Sequence, residues 1–247
     1  MERRSVVRYA IGIIALVAFV QGCTAQPPQR STFGLGDFMS SALKVLPYDS
    51  PPQVIYRIDD HRFVTLERYR DCHHGESYYN DTRAGIRKYL GRGMFENFQG
   101  RIVNADPTGK NIVLPLAYPD GLICGDGEKG CAVPLWYSTN GGKTFATMIY
   151  INNSFDTFED SKNYTVVVTS DSVFISKRIS ETVAAFDTDR YPLIPGFVYG
   201  AGRLPFGNRI ESDAKIPSNL RTPSGQDRIT CDASIKPTNP DAPLVRR

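Results

Sequence analysis

From Gln53 to Lys177 the chain is a succession of short runs in which apolar and polar residues alternate, and a turn signal breaks the pattern every 8–15 residues. Successive side chains on a strand point to opposite faces, so a period of two builds half-buried strands, not helices. Gln53–Ile58 is one such run. His61–Arg70 sets Phe63, Thr65, Glu67 and Tyr69 against Val64, Leu66 and Arg68. Ser77–Tyr79 and Ile86–Leu90 flank the polar turn Asn80–Gly85, and Arg101–Val103 and Asn111–Leu116 flank Asp106-Pro-Thr-Gly109. Tyr164–Val168 and Val173–Lys177 form a hairpin around Thr169–Ser172. The pattern predicts an all-β domain over residues 47–206, built of meandering antiparallel sheets. Cys72–Glu76 reads as a loop, Ile179–Phe186 fits a strand or a short helix equally, and Tyr191–Phe206 reads as packed loop. Eight prolines follow Tyr191 (192, 195, 205, 217, 223, 237, 240 and 243). Residues 207–247 are therefore expected as an extended, irregular tail held by Cys231 alone.

The best-formed turn is Trp136-Tyr-Ser-Thr-Asn-Gly-Gly-Lys-Thr-Phe145. Asn140, Gly141 and Gly142 reach positive φ cheaply, which suits a tight connection between two strands. The spacing Ser138, Asn140, Gly142, Thr144, Phe145 resembles the Asp-box hairpin, with Asn where Asp is usual. Its short polar side chains are expected to bond the turn backbone, with the aromatic packed beneath. Such hairpins recur in β-propellers, which tilts the expectation towards a propeller-like arrangement, with a β-sandwich as the alternative.

The N-terminus reads as a targeting segment. Arg3, Arg4 and Arg8 precede the apolar run Ala10–Val20, which is too short to span a bilayer comfortably. The run ends in Val20-Gln-Gly-Cys23, which resembles a bacterial lipobox. Residues 1–22 are thus expected as a signal peptide and Cys23 as the lipidated residue. Thr24, where an Asp would signal otherwise, favours the outer membrane, with the folded part facing the periplasm. Residues 23–46 are then a Gln- and Pro-rich tether followed by one short amphipathic helix over Asp37–Leu46. Four cysteines remain in an oxidising compartment, and they allow three pairings. The favoured one clips Cys124 to Cys131 across a Gly-rich loop and joins Cys72 to Cys231.

The formal net charge is +3, of which Arg3, Arg4 and Arg8 against Glu2 supply +2, leaving +1 for the rest. No basic stripe offers itself to nucleic acid. There is no nucleophile elbow, zinc-protease helix, phosphate loop or dinucleotide fingerprint. Cys72-His73-His74 puts neighbours on opposite strand faces and has no second cluster at ligand spacing, so no metal is expected. His61 after Asp59-Asp60 lacks a nucleophile in a recognisable pattern. Sialidases carry Asp boxes, but they also need converging arginines and a Tyr/Glu pair, and one degenerate box is no such signature. The residues predict neither catalysis, cofactor nor small-molecule substrate.

Three stretches stand together behind the lipobox: Pro51-Pro-Gln-Val-Ile-Tyr-Arg-Ile-Asp-Asp-His-Arg-Phe63, Tyr78-Tyr-Asn-Asp-Thr-Arg-Ala-Gly-Ile-Arg87, and the Ser138–Phe145 hairpin. In this the chain resembles the immunity lipoproteins paired with lipase effectors of type VI secretion. The resemblance implies a membrane-tethered protein that binds and neutralises one cognate phospholipase. A tight inhibitor uses arginine and aromatic anchors, and the candidates are Arg57, His61, Arg68, Tyr78, Tyr79 and Arg87. An envelope scaffolding lipoprotein is the alternative, and a glycan-acting hydrolase a more distant one.

Overall fold

A computed structural model describes residues 46–122, 128–180 and 182–242. The signal segment, Cys23, the tether, the expected helix as far as residue 45, and Cys124 lie outside them. The described residues belong to one compact unit, Ala42–Arg247.

Three sheets carry the fold. The first is a pure meander of β1 (Gln53–Arg57), β2 (Arg62–Asp71), β3 (His74–Asp81) and β4 (Ile86–Arg92), in that spatial order. A second holds β5 (Arg101–Asn104), β9 (Tyr164–Val168), β10 (Ser172–Arg178) and β11 (Phe186–Pro192), ordered β11-β10-β9-β5. The third joins β6 (Ile112–Pro115), β7 (Cys131–Ser138) and β8 (Ala146–Ser154). Among the described residues, helix is confined to a 3-10 turn at Phe95–Asn97 and to α1 (Thr157–Ser161). Among the described residues no helix is long and apolar enough to cross a membrane.

The mostly-β expectation holds, and its details change in four places. The second sheet is mixed: β5 runs parallel to β9, with Ile102 opposite Val166 and Val103 opposite Val167. A parallel pair needs a crossover, and here it consists of the whole third sheet and α1. Consecutive meander blades do not make such a pairing, and no propeller closure occurs among the described residues. Secondly, the expected loop Cys72–Glu76 shrinks to a tight turn, because β3 already begins at His74. Thirdly, β11 fills residues 187–190, which were given no element, and takes in Tyr191 and Pro192 from the expected loop: it pairs with β10 from Arg178–Phe186 to Ser172–Pro192, and the preceding residues 179–185 are neither strand nor helix where described.

The fourth change concerns the tail, which Cys231 does not hold alone. Ala214, Ile216 and Leu220 pack on Val103, Val167 and Phe174 of the second sheet. Farther on, Ile229, Cys231 and Ile235 pack against the main core. Prolines exclude a ladder here, but they leave carbonyls and side chains free to bond.

One core serves all three sheets. Val64, Leu66 and Tyr79 from the first, Ile102, Val166 and Val173 from the second, and Leu114, Leu135 and Ile151 from the third are buried together. The turn between β7 and β8 is tied by its own side chains. Ser138 Oγ accepts from the Asn140 and Gly142 amides at 3.2 and 2.9 Å, and Asn140 Oδ1 accepts from the Thr144 amide at 3.0 Å. Phe145 beneath it meets Tyr79 at 5.3 Å and Trp136 at 6.0 Å between ring centroids. Cys72 and Cys231 form a disulfide. Cys131 is also disulfide-bonded, and Cys124, its expected partner, lies outside the described residues.

Candidate partner-binding face

The first sheet buries one face and presents the other. Across β2, β3 and β4, Phe63 stands opposite Asn80 and Arg87, Thr65 opposite Tyr78 and Tyr89, and Glu67 opposite Glu76 and Arg92. These rows form the outward face, while Val64, Leu66, Tyr79 and Leu90 between them point into the core.

Two irregularities complete the face. Residues 68–70 of β2 oppose only Gly75, and Arg68 takes φ 44°. This bulge turns its guanidinium onto Glu76 and Tyr78. A Cβ on Gly75 would lie 2.5 Å from the Tyr69 Cβ, so the tight approach needs glycine there. In β4, Leu90 is the extra residue that brings Tyr89 beside Tyr78 and Arg92 beside Glu76.

Two carboxylates organise the cluster. Glu76, almost wholly buried, accepts from Arg68 Nε at 2.9 Å, Arg92 Nη2 at 2.9 Å and the Tyr78 hydroxyl at 2.9 Å. Arg68 also reaches the Tyr78 hydroxyl. Burial alone would raise the Glu76 carboxyl, but the bonds from Arg92 and Arg68 hold it below the usual glutamate value of 4.5. Glu67 takes both Arg87 Nη atoms at 2.8 Å and the Thr65 hydroxyl at 2.7 Å, and these likewise outweigh its burial and lower it. Arg87 then lies over Tyr78, its Cζ 3.9 Å from the ring centroid, and Tyr89 meets the same ring at 5.3 Å. Burial, and then donation to Glu76, push the Tyr78 hydroxyl up to about 12, so it stays a donor at neutral pH. The result is an arginine–tyrosine surface whose rotamers are set before a partner arrives.

The structure thus brings together Arg68, Tyr78 and Arg87. Arg57 joins from β1, in register with Phe63 and with its guanidinium 5.2 Å from that ring. Tyr79 does not belong to the face. It is fully buried, its ring lies beneath Gly142, and its hydroxyl reaches the Gly141 carbonyl at 3.4 Å. His61 sits in the β1–β2 turn, where Nδ1 lies 2.6 Å from Asp60 Oδ1 and 3.1 Å from Asp59 Oδ1. Asp59, Asp60 and His61 could offer ligand atoms to a cation, but Arg62 and Arg83 already pair with the two carboxylates at 2.5 and 3.3 Å. Cys72 is committed to its disulfide and offers no thiolate.

Sequence reasoning missed Glu67, Glu76, Tyr89 and Arg92. The alternation places Glu67 on the polar side of β2, but only the cross-strand register shows that it faces Arg87. For Glu76 and Arg92, bulges that leave no local mark decide the neighbours.

Residues 48–177, just over half of the 247-residue chain, match the family model described as "T6SS Tli3 immunity protein". The matched span takes in β1 to β4 and with them the whole face. No curated protein matches the chain.

Proposed function

The chain belongs to the T6SS Tli3 immunity protein family, and is thus a non-catalytic protein that neutralises a cognate effector of type VI secretion; we propose that the effector is a lipase acting on phospholipid, and that the outward face of β2–β4 docks onto it. The observation that carries the docking half is the Glu67–Arg87–Tyr78–Arg68–Glu76 cluster. Arginine and tyrosine dominate the energetically decisive positions of protein interfaces. Fixing their side chains beforehand lowers the ordering cost of association. The lipase half is supported by the sequence resemblance over Pro51–Phe63 and Tyr78–Arg87.

Membership of this family and the Cys72–Cys231 disulfide both point to the cell envelope. Within it, we propose that a lipid on Cys23 tethers the chain to the outer membrane. Tethering would hold the inhibitor at high effective concentration beside the membrane that a lipase attacks.

The test is capture of the effector by the full-length chain in detergent, followed by phospholipid hydrolysis by the captured protein on vesicles. The expected result is an effector that hydrolyses phospholipid and is silenced by this chain. The Tyr78→Ala/Arg87→Ala variant should bind it at least ~10-fold more weakly, roughly 1.4 kcal/mol or more. A captured effector without lipid-degrading activity overturns the lipase assignment. Undiminished affinity in the double variant overturns the face.

A further inference from the structure

The tail beyond Arg221 closes a seam between two sheets. β1 is an edge strand of the first sheet, and β5 is an edge strand of the second. Each has one strand neighbour, and the tail runs along the free edge of both. On the β1 side, the Thr230 amide donates to the Ile55 carbonyl at 2.8 Å and the Ser224 amide to the Ile58 carbonyl at 3.0 Å. The Gln226 side chain accepts from the Arg57 amide at 2.8 Å and donates to the Ile55 carbonyl at 2.9 Å. On the β5 side, the Ile102 amide donates to the Asp227 carbonyl at 2.8 Å, and the Asn104 amide to Thr222 Oγ1 at 3.2 Å. Arg101 pairs with Asp227 at 2.8 Å. Thr222, fully buried, also meets the Tyr56 hydroxyl at 3.3 Å.

These bonds share a weakness. They come from scattered amides and side chains, not from a ladder, and those at the exposed Ser224 and Thr230 are readily replaced by water. Little apolar surface backs them: Ile229, Cys231 and Ile235 are only partly buried. A covalent bond ties the segment down as well. Cys231 lies within it, and Cys72 sits in the β2–β3 turn, 159 residues away. Both half-cystines are partly exposed and line a cavity of about 390 Å³ together with His73, Phe98, Gln99 and Arg228. The bond is therefore open to a redox partner.

We propose that residues 221–235 are a strap and that Cys72–Cys231 is its redox latch. Closing the latch passes two electrons and two protons from the Cys72 and Cys231 thiols to a disulfide oxidant, which becomes a dithiol. Opening it returns two electrons and two protons from a dithiol, which closes into its own disulfide. With the latch open the strap leaves, and the edges of β1 and β5 lie bare while the three sheets persist. The chain completes its seam only where thiols are oxidised. Cys72 lies within the residues that match the family model, and the strap lies beyond them.

Amide hydrogen exchange of the full-length chain in detergent tests this. Because reductant also opens the disulfide of Cys131, the main comparison is with Cys72→Ser/Cys231→Ser. The variant should exchange at least ~10-fold faster at Arg57, Ile102, Ser224 and Thr230, with Val166–Val168 and Ile175 unchanged. Added dithiol should produce the same seam pattern in the parent chain, and reoxidation should restore protection. Unchanged exchange along the seam in the variant overturns the latch. Equal acceleration throughout β9 and β10 overturns the strap, because the crosslink then staples the whole fold.

Discussion

At Glu76 two opposing effects meet, and their balance can be read from pH. The side chain is almost wholly buried, yet Arg92, Arg68 and Tyr78 all donate to it. A carboxyl whose folded value is lowered stabilises the fold above its unfolded value, and that contribution is lost as pH falls through the folded value. The usual value is 4.5, so the contribution of Glu76 should be complete at neutral pH and vanish below that value. We expect Glu76→Gln to lose about 1–3 kcal/mol at pH 7, the scale of hydrogen bonds to a charged group. The gap to the parent chain should close as pH falls below 4.5 in urea titrations at successive pH values. A gap independent of pH would show that shape, not charge, holds the cluster. None of these partners was legible from Glu76 in the sequence, where it stands among loop-like residues; the wide bulge opposite Gly75 makes it a strand residue beneath two arginines.

At the scale of elements, the β7–β8 turn shows how far a local pattern carries. The Ser138 and Asn140 side chains bond the turn backbone as their spacing suggested, because those bonds span only a few residues. What the pattern left out is the neighbour packed against the turn. Gly142 has φ 82°, and a Cβ there would come 2.3 Å from a Tyr79 ring carbon. Tyr79, which looked like an exposed anchor beside Tyr78, is the residue that locks this hairpin to the first sheet. Gly142→Ala should therefore suffer twice, from backbone strain of about 1 kcal/mol and overpacking of about 1–3 kcal/mol. The expected loss is about 2–4 kcal/mol by chemical denaturation. A loss below about 0.5 kcal/mol would mean that the ring moves aside freely.

For the whole molecule, the envelope setting accounts for both the disulfide and the proposed anchor. Cys23→Ser in the full-length chain should move the protein from the membrane fraction to the soluble periplasmic fraction, as judged by fractionation and blotting. Loss of lipid removes several buried acyl chains at about 0.8 kcal/mol per methylene, far more than any exposed side chain offers a bilayer. Retention in the membrane fraction would count against a lipid on Cys23.

The sequence by itself determined most of the strands between Gln53 and Lys177, the polar bonds of one turn and the resemblance to the immunity family. Each of these is a local property: alternation has a period of two residues, and a turn closes over four or five. Only the tertiary structure decided that β5 pairs with β9 across the whole third sheet, that the tail runs between β1 and β5, and that Glu67 and Glu76 gather three arginines. Those outcomes join segments far apart in the chain, and shared burial and edge pairing select among them. No residue pattern within one segment records which distant edge it will meet.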